Sequence, residues 1–164
     1  MTAPDPKEII IREGGPRDAE TIVGFLCAMA AESENRRLDP AVVRRGLERS
    51  LARPELCRYY LAETEGRVAG QTMITFEWSD WRAAFFWWIQ SVYVRPECRR
   101  RGVFRALYEH VLREARRRPD VCGVRLYVEK ENAAAIRTYE RLGLRRSSHL
   151  FYELDWSDLA AGGP

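Results

Sequence analysis

The chain has 164 residues, 46% of them hydrophobic and 31% charged, enough to bury one core and short for two. No apolar run approaches the roughly 20 residues of a membrane-spanning helix, and the opening residues carry no leader pattern. A membrane protein, a secreted protein and a disordered chain are thereby disfavoured, and a cytoplasmic location is expected. Lys plus Arg number 27 against 24 Asp plus Glu, a formal net charge of +3, so any anion site must come from local clustering and not from the overall field.

Cys27, Cys57, Cys98 and Cys122 lie far apart and form no C-x-x-C pair, and His110 and His149 are the only histidines. Reduced thiols and no bound metal are expected, because metal-ligand spacings are missing. Nearly all the positive charge is arginine, with Lys7 and Lys130 the only lysines. The planar guanidinium suits phosphate as well as ordinary surface pairing, so the bias alone decides nothing.

In chain order, residues 1–6 and 157–164 read as loose tails around one domain at 7–156. Glu8 to Arg12 carries Ile9-Ile10-Ile11 and reads as a first strand. From Pro16 to about Glu34, Ile22, Phe25, Leu26 and Met29 recur at three- and four-residue steps, the stripe of an amphipathic helix. Asp39-Pro40 starts a second helix, with Val42, Val43, Leu47 and Leu51 on its apolar side. The period then changes to that of strands: Tyr59–Glu63, Val68–Trp78 and Ala84–Val94, joined at Glu65-Gly66 and Ser79-Asp80. Phe85 to Ile89 is apolar on both sides, which predicts a strand in the middle of a covered sheet.

A helix is predicted from about Arg101 to Arg118, with Val103, Leu107, Val111 and Leu112 inward and Pro119 as its stop. A strand over Val121–Glu129, a helix over Ala133–Leu142 stopped by Gly143, and a final strand over Leu150–Asp155 complete the chain. There is no repeat or linker, and a single mixed α/β layer is the economical fold.

The junction from Ser91-Val92-Tyr93-Val94 through Arg95-Pro96-Glu97-Cys98 into Arg99-Arg100-Arg101-Gly102-Val103-Phe104-Arg105 carries the first functional signal. The first N–H groups of a helix have no intrahelical acceptor and sit at its positive end, a place for a diphosphate. Gly102 would let backbone approach phosphate oxygens with no Cβ in the way. A solvated cluster of arginines is the plainer alternative. A nucleic-acid footprint would need a broader basic stripe or an aromatic stacking surface, and acidic residues intersperse this helix.

These residues resemble a known family. Val92 to Leu107 is similar to the acyl-CoA-binding segment of the GNAT superfamily of N-acetyltransferases: Arg or Gln, two residues, Gly, one residue, then Gly or Ala. Arg99 and Gly102 match; Phe104 stands where the family places a small residue. Asn132-Ala133-Ala134-Ala135-Ile136-Arg137-Thr138-Tyr139-Glu140-Arg141-Leu142-Gly143-Leu144 resembles the family's second signature, in the family's order and spacing. The likeness runs from about Ile9 to Asp155. It implies the GNAT acyl-CoA N-acyltransferase fold, an α+β mixed sheet of about seven strands flanked by four helices. It also implies acetyl-CoA as cosubstrate and direct transfer to a primary amine.

The resemblance further implies that main-chain groups of Val92, Tyr93 and Val94 pair with the pantetheine arm. Backbone amides over Arg99, Arg100, Arg101, Gly102, Val103, Phe104 and Arg105 would hold the pyrophosphate, and a main-chain N–H near Val92 would polarise the acetyl carbonyl. Asn132 would contact the arm or an ordered water, and Tyr139 would be the general acid for the departing thiolate. From the residues alone, Asn132 is equally a helix N-cap and Tyr139 a packed aromatic. The base is the gap. Members that modify protein N-termini often carry glutamate five residues before the asparagine, where this chain has Tyr127, and Gln90-Ser91 stand where the central strand often holds a carboxylate. Glu32, Glu34, Glu77 and Glu129 remain candidates.

A small-molecule amine is therefore favoured over a protein N-terminus, with no nucleic-acid or membrane partner. A CoA-binding module without turnover is the alternative of another class, suggested by Phe104 and the missing base. Core packing is expected for Trp87 and Trp88, while Trp78 and Trp81 flank a hairpin turn and are candidates for a homodimer contact.

Overall fold

Branched and aromatic residues at period two build the centre of the molecule, and a computed structural model places them in one sheet; it describes residues 8–156, so Lys7 and the two tails lie outside the described residues. Strands β1 (Ile10–Glu13), β2 (Cys57–Thr64), β3 (Arg67–Ser79), β4 (Ala84–Val94) and β5 (Val121–Leu126) lie in that order across it. The first four pair antiparallel through short connections or a returning helix pair, whereas β5 runs parallel to β4. A parallel neighbour needs a crossover. Helix α3 (Val103–Arg116) supplies it, and α1 (Ala19–Glu34) with α2 (Pro40–Leu51) fill the β1–β2 connection. These elements form one compact unit ending at Tyr127; a second, beginning at Val128, contains helix α4 (Ala133–Arg141).

Alternation along β2 splits the core between the two faces of the sheet. Cys57, Tyr59 and Leu61 cluster with Ile22, Val23 and Leu47 of α1 and α2. On the other face α3 packs across β2 to β5, with Val103, Leu107 and Val111 almost fully buried and His110 edge-on to Tyr60 at 4.8 Å. Each such aliphatic side chain contributes about 1.5–3 kcal/mol by leaving water, so this face fixes where α3 begins.

The α1 region begins as a 3-10 turn at Pro16–Asp18. The cause is Asp18, which is buried and receives Arg12 Nη1 and Nη2 at 2.8 and 2.7 Å and the Gly15 amide at 2.9 Å. Asp39 caps α2 through Ala41 N–H at 2.8 Å, although Val42 is exposed.

Three expectations are corrected. The sheet has five strands among the described residues, where six were read from the residues and about seven from the family resemblance. Leu150–Asp155 is not a strand: its alternation has the right period, but a strand exists only through a ladder to a neighbour, and Leu150, Tyr152 and Leu154 stay exposed. Finally, β4 is interior to the sheet, but its apolar run is not fully buried on both faces. Trp87 and Ile89 are buried, whereas Phe86 and Trp88 on the opposite face remain half-exposed.

Candidate functional site

The parallel ladder between β4 and β5 ends at Ile89 opposite Leu126. The strand expected to reach Glu129 stops at Leu126, and β4 continues for five residues past Ile89 without it. An edge of N–H and C=O groups is thus presented over Gln90–Val94, the situation in which an extended ligand adds as a strand.

Within that stretch the register slips. Gln71 faces Tyr93 and Met73 faces Gln90, so Ser91 and Val92 together oppose Thr72. Ser91 carries the slip with a φ of +50°, unusual for a residue with a side chain. Two fully buried side chains of β3 hold the carbonyls this releases. Thr72 Oγ1 donates to Gln90 O at 3.2 Å and Gln71 Nε2 to Ser91 O at 3.4 Å. The bulge re-aims the backbone at Val92, the residue whose N–H sequence reasoning singled out.

At the end of β4 the chain turns tightly. Cys98 N–H donates to Arg95 O at 2.9 Å and Arg99 N–H to Pro96 O at 3.2 Å, so the amides left for a ligand start after Arg99. Arg100 and Gly102 both have positive φ, +62° and +85°. Gly102 is the N-cap of α3, its carbonyl receiving Ala106 N–H at 2.9 Å. A Cβ built on it meets nothing within 4 Å, so its outer side is open. Gly70 is the opposite case. A Cβ there would lie 2.8 Å from Tyr93 O and 3.1 Å from a Val103 methyl, so the end of β4 and the start of α3 are seated on bare β3 backbone. Arg100, Arg101 and Arg105 are exposed around the helix start. Phe104, in the first turn, faces Tyr108 along the helix with ring centres 6.1 Å apart. Open glycine, helix-start amides and arginines together fit a diphosphate.

In the second unit, Asn132 caps α4, its Oδ1 accepting from Ala135 N–H at 3.0 Å. Tyr139 lies two turns on. The helix ends as Leu144 N–H donates to Tyr139 O at 3.1 Å and Gly143 N–H to Glu140 O at 3.0 Å, with Gly143 at φ +91°. This paired closure is what a Leu-Gly helix stop achieves. It engages the carbonyl of Tyr139, and burial raises the phenol's pKa above its ordinary value.

Residues 25–144 match the family model described as the Acetyltransferase (GNAT) family. The chain belongs to this family. As a member it is an acetyl-CoA-dependent acetyltransferase. A solved possible acetyltransferase from Clostridium difficile 630 is 39% identical over 90% of this chain and 97% of its own, with a TM-score of 0.84. A second, a probable acetyltransferase, is 25% identical over 91% and 99% with a TM-score of 0.81. A predicted acetyltransferase from Clostridium acetobutylicum, solved with acetyl-CoA, shares the fold at 16% identity, 92% and 98% coverage and a TM-score of 0.71. No curated protein matches the chain. Among the described residues no helix is long and apolar enough to cross a membrane.

The acetyltransferase's carboxylates divide into held and unheld groups. Glu32, near the end of α1, accepts from Arg99 Nη2 at 2.5 Å and from Tyr93 Oη at 3.0 Å, and Arg99 above all keeps its carboxyl below the ordinary carboxylate range. Glu77 accepts from Trp88 Nε1 and from Arg125 Nη1 at 2.9 Å, and the Trp88 bond leads in lowering its pKa. Both are thereby weakened as bases. Glu34 and Glu129 are exposed. Around Glu77 the half-open face of the sheet is aromatic. The Arg125 guanidinium lies 3.6 Å over Phe86, and Trp88 and Tyr127 are 4.7 Å apart between ring centres. Trp87 is buried as expected, Trp78 is half-exposed, and Trp81 is 90% exposed at the β3–β4 turn.

Ser91, Gln71 and Thr72 were not found from sequence. Serine does not announce a positive φ, and buried Gln and Thr within a strand look like ordinary alternation; only the count of paired residues across β3 and β4 exposes the bulge.

Proposed function

We propose that this acetyltransferase moves the acetyl group of acetyl-CoA to a primary amine of a small molecule by direct attack in a ternary complex. One observation carries the reading: a strand edge left by β5 after Ile89, a bulge at Ser91–Val92 and an open helix start at Gly102 follow one another in a single continuous segment. Main-chain groups of Val92, Tyr93 and Val94 hold the pantetheine arm. Amides from Arg100 to Arg105, with the arginine side chains, hold the diphosphate.

The N–H near Val92 donates to the carbonyl oxygen as negative charge develops there, a fixed dipole in place before reaction. The amine nitrogen forms the new C–N bond while the C–S bond breaks. Tyr139 passes its phenolic proton to the departing thiolate, burial holding the phenol in its protonated form beforehand. Asn132 caps α4 and contacts the arm or an ordered water.

With Glu32 and Glu77 held by arginine, one ammonium proton leaves before attack through water, to Glu34, Glu129 or bulk, and the second, shed by the acylated nitrogen, returns through water to the Tyr139 phenolate. The acceptor is a small molecule and not a protein N-terminus because Tyr127 stands where such members carry a carboxylate. The aromatic wall of Phe86, Trp88 and Tyr127 suits an acceptor with an apolar body. A homodimer contact through Trp78 and Trp81, a cytoplasmic location, no nucleic-acid or membrane partner and one domain over 7–156 belong to the same reading.

The test is release of free CoA thiol from acetyl-CoA with a panel of small amines and of peptides with free N-termini. Thiol release with small amines supports the reading, and release with peptides alone moves the acceptor to protein. Acetyl-CoA binding with no release above background across both sets would replace the enzyme with a CoA-binding module.

A further inference from the structure

The arginine that opens the cofactor signature does not point away from the protein. Arg99 Nε donates to Val94 O at 2.9 Å, Nη2 to Glu32 Oε2 at 2.5 Å, and the guanidinium sits 5.7 Å over the Tyr93 ring. The other Glu32 oxygen accepts from Tyr93 Oη at 3.0 Å, and Tyr93 packs on Phe25 of α1 with ring centres 5.0 Å apart. The near end of the same loop is fixed the same way: Arg95 N–H donates to Ala69 O at 2.9 Å, its Nε to Val68 O at 2.8 Å, and its guanidinium lies 5.0 Å over Phe25. Both ends of the turn are therefore tied down by arginines folded back on the protein. Between Arg99 and the helix lie two residues in the left-handed region, Arg100 and Gly102. At Arg100, which carries a side chain, such a backbone persists only where its surroundings over-determine it.

We propose that Arg99 is a positioning residue that props the cofactor loop on Glu32, and that its guanidinium is not a ligand of the diphosphate. The proposal rests on the reading that this loop holds the diphosphate, and it assigns Glu32 a part in donor binding although it carries the wrong charge to touch an anion.

That charge makes the sign of one substitution decisive. If Arg99 bound phosphate directly, Glu32 would be a competitor for it and a repulsive charge nearby, and Glu32→Ala would tighten acetyl-CoA binding. If Glu32 is the footing of the strut, the same change loosens it. Titration calorimetry of the full chain with acetyl-CoA decides. The pair is about half-exposed, 44% and 43%, so the expected loss is about fivefold at most, and it appears in the KM for acetyl-CoA and not in kcat. Glu32→Gln keeps an acceptor for Arg99 and binds close to wild type. The exchanged pair Glu32→Arg with Arg99→Glu binds better than Arg99→Glu alone, since it restores the strut although it removes the arginine from the loop. Unchanged or tighter binding by Glu32→Ala overturns the proposal, as does an exchanged pair weaker than Arg99→Glu alone. Melting temperatures confirm that each variant is folded. Should Glu32→Ala fail to fold, Glu32→Gln discriminates in its place, since direct ligation predicts that it too binds tighter. A wild-type chain that does not bind acetyl-CoA defeats the functional reading itself, whereas wild-type binding with the wrong sign at Glu32 defeats only this proposal.

Discussion

Gly102→Ala separates a strained backbone from a lost ligand, because the molecule contains its own control. Gly66, in the β2–β3 turn, has φ +71°, and Gly102 has φ +85°; a Cβ at either meets nothing within 4 Å. Neither alanine clashes, so each costs only the left-handed backbone penalty, about 1–2 kcal/mol. For a chain of this length that is roughly 2–8 °C in melting temperature, and the two variants should lose similar amounts. Only Gly102 sits at the helix start proposed for the diphosphate. A methyl group on its open side stands off the phosphate oxygens from the amides, and each hydrogen bond lost to a charged group is worth about 1.5–3 kcal/mol. Calorimetric titration with acetyl-CoA should therefore show at least about tenfold weaker binding for Gly102→Ala, with Gly66→Ala close to wild type. Equal affinities in the two variants, with equal losses of melting temperature, would refute the placement of the diphosphate at α3.

Three further outcomes are expected. Tyr139→Phe lowers kcat by about 10²- to 10⁴-fold, the range for a lost general acid, while acetyl-CoA affinity measured by calorimetry stays near wild type; a parallel fall in both makes the tyrosine structural. Gly70→Ala pushes a methyl to 2.8 Å from Tyr93 O, an overpacking that costs about 1–3 kcal/mol and shows in denaturant unfolding, with acetyl-CoA binding impaired as the β4–α3 corner shifts. The Arg12 hydrogen bond leads in lowering the Asp18 pKa below 3.8 in the folded chain, so its contribution is complete above about pH 4 and is lost as pH falls through the folded value. Asp18→Asn should cost about 2–3 kcal/mol at pH 7, and denaturation curves should show that gap closing towards pH 2; a gap independent of pH would mean the charge on Asp18 does not matter.

How far the site could be read from sequence depends on what kind of fact each part is. The stop at Gly143 was legible because glycine just past an apolar stripe is a local statement about φ, here +91°, whereas the start was legible only to within two residues, the reading from about Arg101 having put inside the helix the Gly102 that caps it. The cap at Asn132 was legible for the same reason: its carboxamide reaches an amide three residues on. Leu150–Asp155 failed because alternation is a property of a segment, whereas strand is a property of a pair. The end of β5 shows the same limit, since nothing in Tyr127-Val128-Glu129 says that the ladder to β4 stops at Leu126.

The bulge is the deepest case, because it depends on three strands at once. Ser91 can hold a positive φ only while Gln71 and Thr72 take the carbonyls it turns away, and β5 must leave before that point for the turned groups to be of use. Each residue is ordinary in its own strand, and only their meeting makes a feature. Thr72 and Gln71 are therefore where the strain of the bulge is balanced by buried hydrogen bonds, and a loss there would be felt at Val92, one residue beyond the slip. The two signatures mark the segments proposed to grip the donor; what shapes the strand edge between them is written in β3, outside either signature.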